Sequence, residues 1–184
     1  MSLTIEDLRA MRPSELAELL ARGYSIEASE LEDTEYNGVS LGLPRLIERL
    51  TWTKFIKTFH RDPQSGKLRG WNVRVVQTPL SDPRWEPQLE KDGSPKSFGH
   101  YEVRELGDYQ VPSALTRGLM IDYAPGASSL SPMSRLRDPI VALEPGHTEL
   151  LLGWSYLDLG GARLKTPSYF ALLRGGPLSH IAQP

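Results

Sequence analysis

Leu8, Leu16, Leu19 and Leu20 recur at helical spacing near the start of the chain, and Pro13-Ser14 stands where helices begin, which predicts a helix over Pro13 to Arg22. Gly23 follows at the position where glycine commonly closes a helix in the left-handed conformation. The pattern then changes. Tyr36, Val39 and Leu41, with Gly38 and Gly42 beside them, predict a short strand over Glu35 to Leu41 that another backbone approaches closely. Pro44 opens a second helical stretch, Pro44 to Leu50, with Leu46, Ile47 and Leu50 on one face, suited to covering one end of a barrel.

From there strand signals repeat: Thr53 to His60, Arg69 to Gln77, Ser97 to Leu106, Leu115 to Ala124, Ile140 to Leu143, Leu150 to Leu159 and Pro167 to Arg174. Turn-formers separate them, among them Asp62 to Gly66, Lys91 to Pro95, Pro125-Gly126, Glu144-Pro145-Gly146 and Gly160-Gly161. Successive strands without long intervening helices argue against a parallel sheet and predict an antiparallel meander. About eight such strands can close into a barrel that holds one small ligand. The expected fold is therefore mainly β, an antiparallel closed barrel with an N-terminal helix and a short capping helix, in one domain over residues 1–184. Two proline-rich stretches, Thr78 to Pro95 and Ala124 to Pro139, read as long loops of the kind that serve as lids or ligand-facing segments.

Composition narrows the function classes. A chain of 184 residues with 39% hydrophobic and 24% charged residues can support its own core. The net charge of -2 offers no basic excess for a phosphate backbone, so nucleic acid is not an expected partner. There is no cysteine, which excludes disulfides, thiolate metal sites and cysteine nucleophiles. Met1 to Ser25 is broken by Glu6, Asp7, Arg9, Arg12, Glu15, Glu18 and Arg22 and holds no signal-peptide apolar region, which sets the expectation of a cytoplasmic protein. No apolar run approaches the ~20 residues of a membrane-spanning helix. Phosphate-loop, His-Glu-x-x-His and Gly-x-Ser-x-Gly motifs are absent, and the scattered His60, His100, His147 and His180 point to no metal site and no cofactor.

Candidate chemistry lies in polar residues inside apolar strands. Asp122 shares one pleat face with Met120, opposite Leu119, Ile121 and Tyr123. Pointing into the lumen, it would have a raised pKa suited to proton transfer or to a polar ligand group; pointing outward, it would accept a structural hydrogen bond. In Thr51 to Phe59 a lysine lies on each face, Lys54 with Ile56 and Thr58, Lys57 with Phe55 and Phe59. One of them is expected inside, paired with Asp122 or an acidic ligand, unless it snorkels to the rim. Trp71, Tyr101, Tyr123, Trp154, Tyr156 and Tyr169 are candidate aromatic walls, and Gly153 removes a side chain where space is needed. Ordinary core contacts are the competing account of each.

Thr34-Glu35-Tyr36-Asn37-Gly38, the stretch Pro44 to Leu50, Trp52 and Lys57-Thr58-Phe59 stand in an order that resembles a bacterial domain family of unknown function named for its Gly-x-Trp-x-Gly motif. Leu119 to Tyr123, Leu151-Leu152-Gly153 and Ser168 to Arg174 resemble strands of that family's usual C-terminal partner. Thr34 replaces the first glycine, Tyr36 the tryptophan, and Asp122-Tyr123 is reversed relative to the pattern. The resemblance implies a calycin-like barrel, similar to the lipocalin and fatty-acid-binding group, and no particular activity. Together these observations predict binding of a small hydrophobic or amphipathic molecule in the lumen. The alternative is a cofactor-independent isomerase or cyclase using Asp122 or His100 in the same pocket, and a third is an interaction module using the proline-rich loops. Oligomeric state is left open.

Overall fold

The computed structural model describes residues 3–41, 53–128 and 130–183. Two short helices lead into the barrel. In α1 (Ile5–Ala10) the Thr4 hydroxyl accepts from the Asp7 amide at 3.2 Å, and the Asp7 carboxylate accepts from the Thr4 amide at 2.9 Å. This reciprocal cap lets so short a helix begin cleanly. Helix α2 (Pro13–Arg22) starts on proline and buries Leu16 and Leu20. Its bounds are those predicted, but its end differs in detail. Gly23 has φ -57, not a left-handed value. The glycine is required because a Cβ there would collide with the Val141 side chain. Beyond it Tyr24 and Ala142 exchange amide-to-carbonyl bonds of 2.9 and 3.1 Å, which fasten the helical arm to the barrel wall.

The strands are β1 (Thr34–Leu41), β2 (Lys54–Arg61), β3 (Leu68–Arg74), β4 (Ser97–Glu105), β5 (Leu119–Asp122), β6 (Leu136–Glu144), β7 (His147–Asp158) and β8 (Arg163–Pro177). They pair antiparallel in chain order, and β8 returns to β1 to close an eight-stranded barrel. Irregular pairings at Glu35/Tyr36, Gly70/Asn72, Ala142/Glu144 and Trp154/Tyr156 break the regular ladder, as closure of a sheet into a barrel requires. Strand β6 begins four residues earlier than the apolar run suggests. Pro139 lies within it opposite Met120, and its fixed φ is compatible with a strand. The predicted Ala124 to Pro139 loop is shorter by that amount. The Pro44 to Leu50 helix and Trp52 lie outside the described residues.

Alternation sorts the strands into two faces. Side chains from non-adjacent strands meet only in the lumen, and Lys57 of β2 lies against Tyr101 of β4, Phe170 of β8 and Asp138 of β6. The lumen thus carries Tyr36, Phe59, Tyr101, Ile121, Tyr123, Ile140, Leu151, Phe170 and Leu172. Its far end is closed by Ile26 and Leu31, the latter from a 3₁₀ turn at Ala28–Leu31. The outer face of β5 to β8 and β1 carries Val39, Met120, Val141, Leu152, Trp154 and Ala171, covered by Leu8, Leu16 and Leu20 of the two helices. Another outer patch, Ile56, Trp71, Val73 and Val75, lies under Leu178 and Ala182. A helix on one wall and a C-terminal strap on the other explain why these strands are apolar on both faces.

Candidate functional site

The alternation of β2 turns Phe55, Lys57 and Phe59 inward and Lys54, Ile56 and Thr58 outward. Lys57 is 1% exposed. Its Nζ donates to the Tyr123 hydroxyl at 2.7 Å and lies 3.6 Å from Asp138 Oδ2. The ring centroids of Tyr101, Tyr123, Phe170 and Phe55 surround it at 4.8, 5.2, 5.3 and 5.9 Å, so the ammonium is held by aromatic faces as well as by the carboxylate. Tyr123 donates onward to Asp138 Oδ2 at 3.1 Å. Asn72 donates to the Tyr123 oxygen at 3.4 Å and to the Gly99 carbonyl at 3.2 Å.

Asp138, 3% exposed, has its other carboxylate oxygen, Oδ1, buried without a hydrogen-bond partner. Burial pushes this carboxyl up; Lys57, Ser155 and Tyr123 act against that. Burial also lowers the Lys57 ammonium to about 8, with Asp138 opposing the shift. The Tyr101 and Tyr123 hydroxyls are raised well above the usual phenol range by desolvation, so both remain neutral donors. Tyr101 donates to the Thr58 carbonyl at 2.6 Å.

The cluster lies toward the end of the barrel at which β1 finishes and β2 begins. Phe55, Met133 and Leu136, all only partly buried, belong to the lumen cluster there. Met133 arrives from a 3₁₀ turn, Pro132–Arg135, in the loop after β5. Its methyl lies beside Gly99, where a Cβ would clash with it. This proline-rich loop therefore does reach the lumen.

Of the candidates read from the sequence, the structure brings together Lys57, Tyr101 and Tyr123. The others lie on the outer wall. Asp122 does not point into the lumen. Its carboxylate meets Arg137 at 3.1 Å, accepts from Tyr109 at 2.7 Å and caps the Ala124 amide at 2.8 Å, and it is not the partner of Lys57. His100 lies against Trp71, the rings tilted by 37° with centroids 6.0 Å apart. Desolvation and Arg69 lower its pKa. Trp71 is sealed beneath the C-terminal strap. Trp154, Tyr156 and Tyr169 form an external stack, at 5.7 and 6.3 Å from the indole. Lys54 is buried outside the barrel, donating to Thr78 Oγ1 and the Asp82 and Arg84 carbonyls at 2.9, 2.7 and 3.3 Å, over the Trp85 ring. Gly153 makes room for the Phe170 ring.

The residues missed are Asp138, Asn72, Phe55 and Phe170. The alternation Leu136, Asp138, Ile140, Ala142 carried the signal for Asp138, masked by Pro139, which reads as a breaker. A groove of about 740 Å³ also runs outside the barrel, between Leu3 and Ile5 of the N-terminal arm, Leu80 and Trp85 of the loop held by Lys54, and Leu150 and Leu173. Among the described residues no group of three or more potential ligands is placed to hold a metal. None of the described helices is long and apolar enough to cross a membrane.

Fold and site together define a closed eight-stranded antiparallel barrel with a charged pair in its lumen, consistent with a lipocalin-like, calycin-type architecture. No protein-family model matches the chain, and comparisons with curated proteins and with solved structures find no match.

Proposed function

We propose that the protein binds a small hydrophobic or amphipathic molecule in the barrel lumen, with its polar end at the Lys57–Asp138 pair. The observation that carries this reading is a buried ion pair with one carboxylate oxygen lacking a hydrogen bond, set among aromatic rings and beside the partly buried Phe55, Met133 and Leu136. A buried pair is seldom favourable for stability alone, and polar groups converging in an apolar enclosure are the usual makings of a ligand site. The inner rings already meet, Tyr36 and Phe59 at 5.5 Å and Tyr101 and Tyr123 at 5.3 Å. Access therefore requires Phe55 and Met133 to swing aside. Titration with the uncharged dye phenylnaphthylamine tests the reading. Binding tighter than roughly 100 µM, about -5.5 kcal/mol, and weakened by Phe55→Asp at the mouth, is expected. No binding would mean that side chains alone fill the lumen.

A second reading, a cofactor-independent isomerase or cyclase, draws on the lowered pKa of Lys57, which suits that amine to accept a proton near neutral pH. In this geometry Lys57 takes the place foreseen for Asp122 and His100. Turnover rising with pH through about 8 and lost in Lys57→Met would distinguish it from simple binding.

A further inference from the structure

The two charges in the lumen are not equally satisfied. The ammonium of Lys57 has a phenol oxygen at 2.7 Å, a carboxylate at 3.6 Å and aromatic faces around it. Asp138 has one oxygen engaged by Tyr123 and the other, Oδ1, buried without a hydrogen bond. Ser155 lies close enough to act on the Asp138 carboxylate as a side-chain hydrogen-bond partner that lowers its pKa, yet no bond of good geometry reaches Oδ1. The pair sums to zero charge, and what it lacks is one donor. Leaving a buried acceptor unmet is costly, whereas meeting it with a neutral donor brings no further charge out of water.

An incoming carboxylate would bring a second negative charge beside Asp138 and add an acceptor where a donor is missing. An incoming ammonium would find the aromatic enclosure that favours cations already occupied by Lys57. Both charged head groups are therefore disfavoured by the same arrangement.

We propose that the lumen selects molecules with an uncharged hydrogen-bond donor, an alcohol or phenol hydroxyl on an apolar body, which donates to Asp138 Oδ1, and that it discriminates against fatty acids and amines. This rests on the lumen-binding reading above and names the ligand class for it. In the free protein a water on Oδ1 would be displaced by a hydroxyl that reproduces its bond. The apolar body lies against Phe55, Phe170 and Met133 toward the mouth.

The test is displacement of phenylnaphthylamine at pH 7 by four molecules of one chain length: decanol, decanoate, decylamine and methyl decanoate. Decanol is expected to compete at a concentration about tenfold or more below each of the other three, since the ester can accept but not donate. In Asp138→Asn the carboxylate is gone and Lys57 is left as the unbalanced charge, so decanoate should become the strongest competitor. Equal competition by decanol and methyl decanoate, or decanoate strongest on the unaltered protein, overturns the proposal while leaving the lumen as a binding site. Failure of the dye to bind at all overturns both. The unaltered protein decides the matter if Asp138→Asn does not fold.

Discussion

Lys57 and Asp138 are one electrostatic unit, and their energetics differ from those of any exposed pair. The folded pKa of Lys57, about 8, lies below the ordinary 10.5, so the unfolded chain holds this proton more tightly than the folded one. Unfolding then takes up a proton between those values, and stability from this group rises as pH increases from about 8 to 10.5, by an amount on the order of 3 kcal/mol. The raised Asp138 carboxyl acts in the opposite sense at the acid end. There the folded protein protonates first, and this group's contribution grows as pH falls through its folded pKa toward 3.8. Urea midpoints at pH 7 and pH 9.5 should show a gain at the higher pH that Lys57→Met lacks. Lys57→Met alone should cost about 3–5 kcal/mol by stranding the carboxylate, and Lys57→Met with Asp138→Leu should recover most of it or exceed the parent. A double variant no more stable than the single one would show that the pair is itself a source of stability.

At the scale of elements, two contacts decide how the barrel wall is dressed. Gly70 faces the Thr58 carbonyl and the Tyr101 ring, and a Cβ would collide with both. A backbone carbonyl in a strand cannot step aside, so Gly70→Ala should lower stability by about 2–3 kcal/mol, read as a shifted denaturation midpoint with unchanged slope. Gly66, in the neighbouring turn, has open space around it but φ +68, so Gly66→Ala is costly for backbone reasons alone. Lys54 works differently. Its ammonium satisfies the Asp82 and Arg84 carbonyls and ties the segment between β3 and β4 to β2. In Lys54→Met those carbonyls lose their donor. Limited proteolysis should then cut between Thr78 and Pro95 faster than in the parent while the barrel core persists.

Across the molecule, the described aromatic residues divide between two environments, the outer walls and the lumen. Trp71 and Trp154 lie on outer walls, under the C-terminal strap and beside the helices, while the rings that enclose Lys57 are phenylalanine and tyrosine. Filling the lumen should therefore leave the emission of Trp71 and Trp154 nearly unchanged. A Phe55→Trp variant, with its indole at the mouth, should gain a strong ligand-dependent change. With Trp52→Phe introduced into both proteins, quenching in the parent as large as in the variant would place the ligand outside the barrel, in a position such as the external groove.

The hydrophobic pattern was enough to find α2 and each of the strands, because helix and strand periods and turn-formers are local properties. It also determined that Lys54 and Lys57 face opposite ways, since a pleat alternates whatever surrounds it. It could not say which face is inside. In an ordinary barrel polar residues would mark the outer face, but here the helices and the strap cover parts of that face, so Asp122 and Trp154 stand in strands as apolar outside as inside. Alternation alone therefore left Trp71, Trp154, Tyr156 and Tyr169 eligible for a lumen they do not reach. Nor could it pair Lys57 with Asp138, eighty-one positions away by residue number and beside a proline that reads as a loop. That pairing is decided by closure. Only when β8 returns to β1 do β2 and β6 face each other across a common interior, and only then does one carboxylate oxygen remain without a donor.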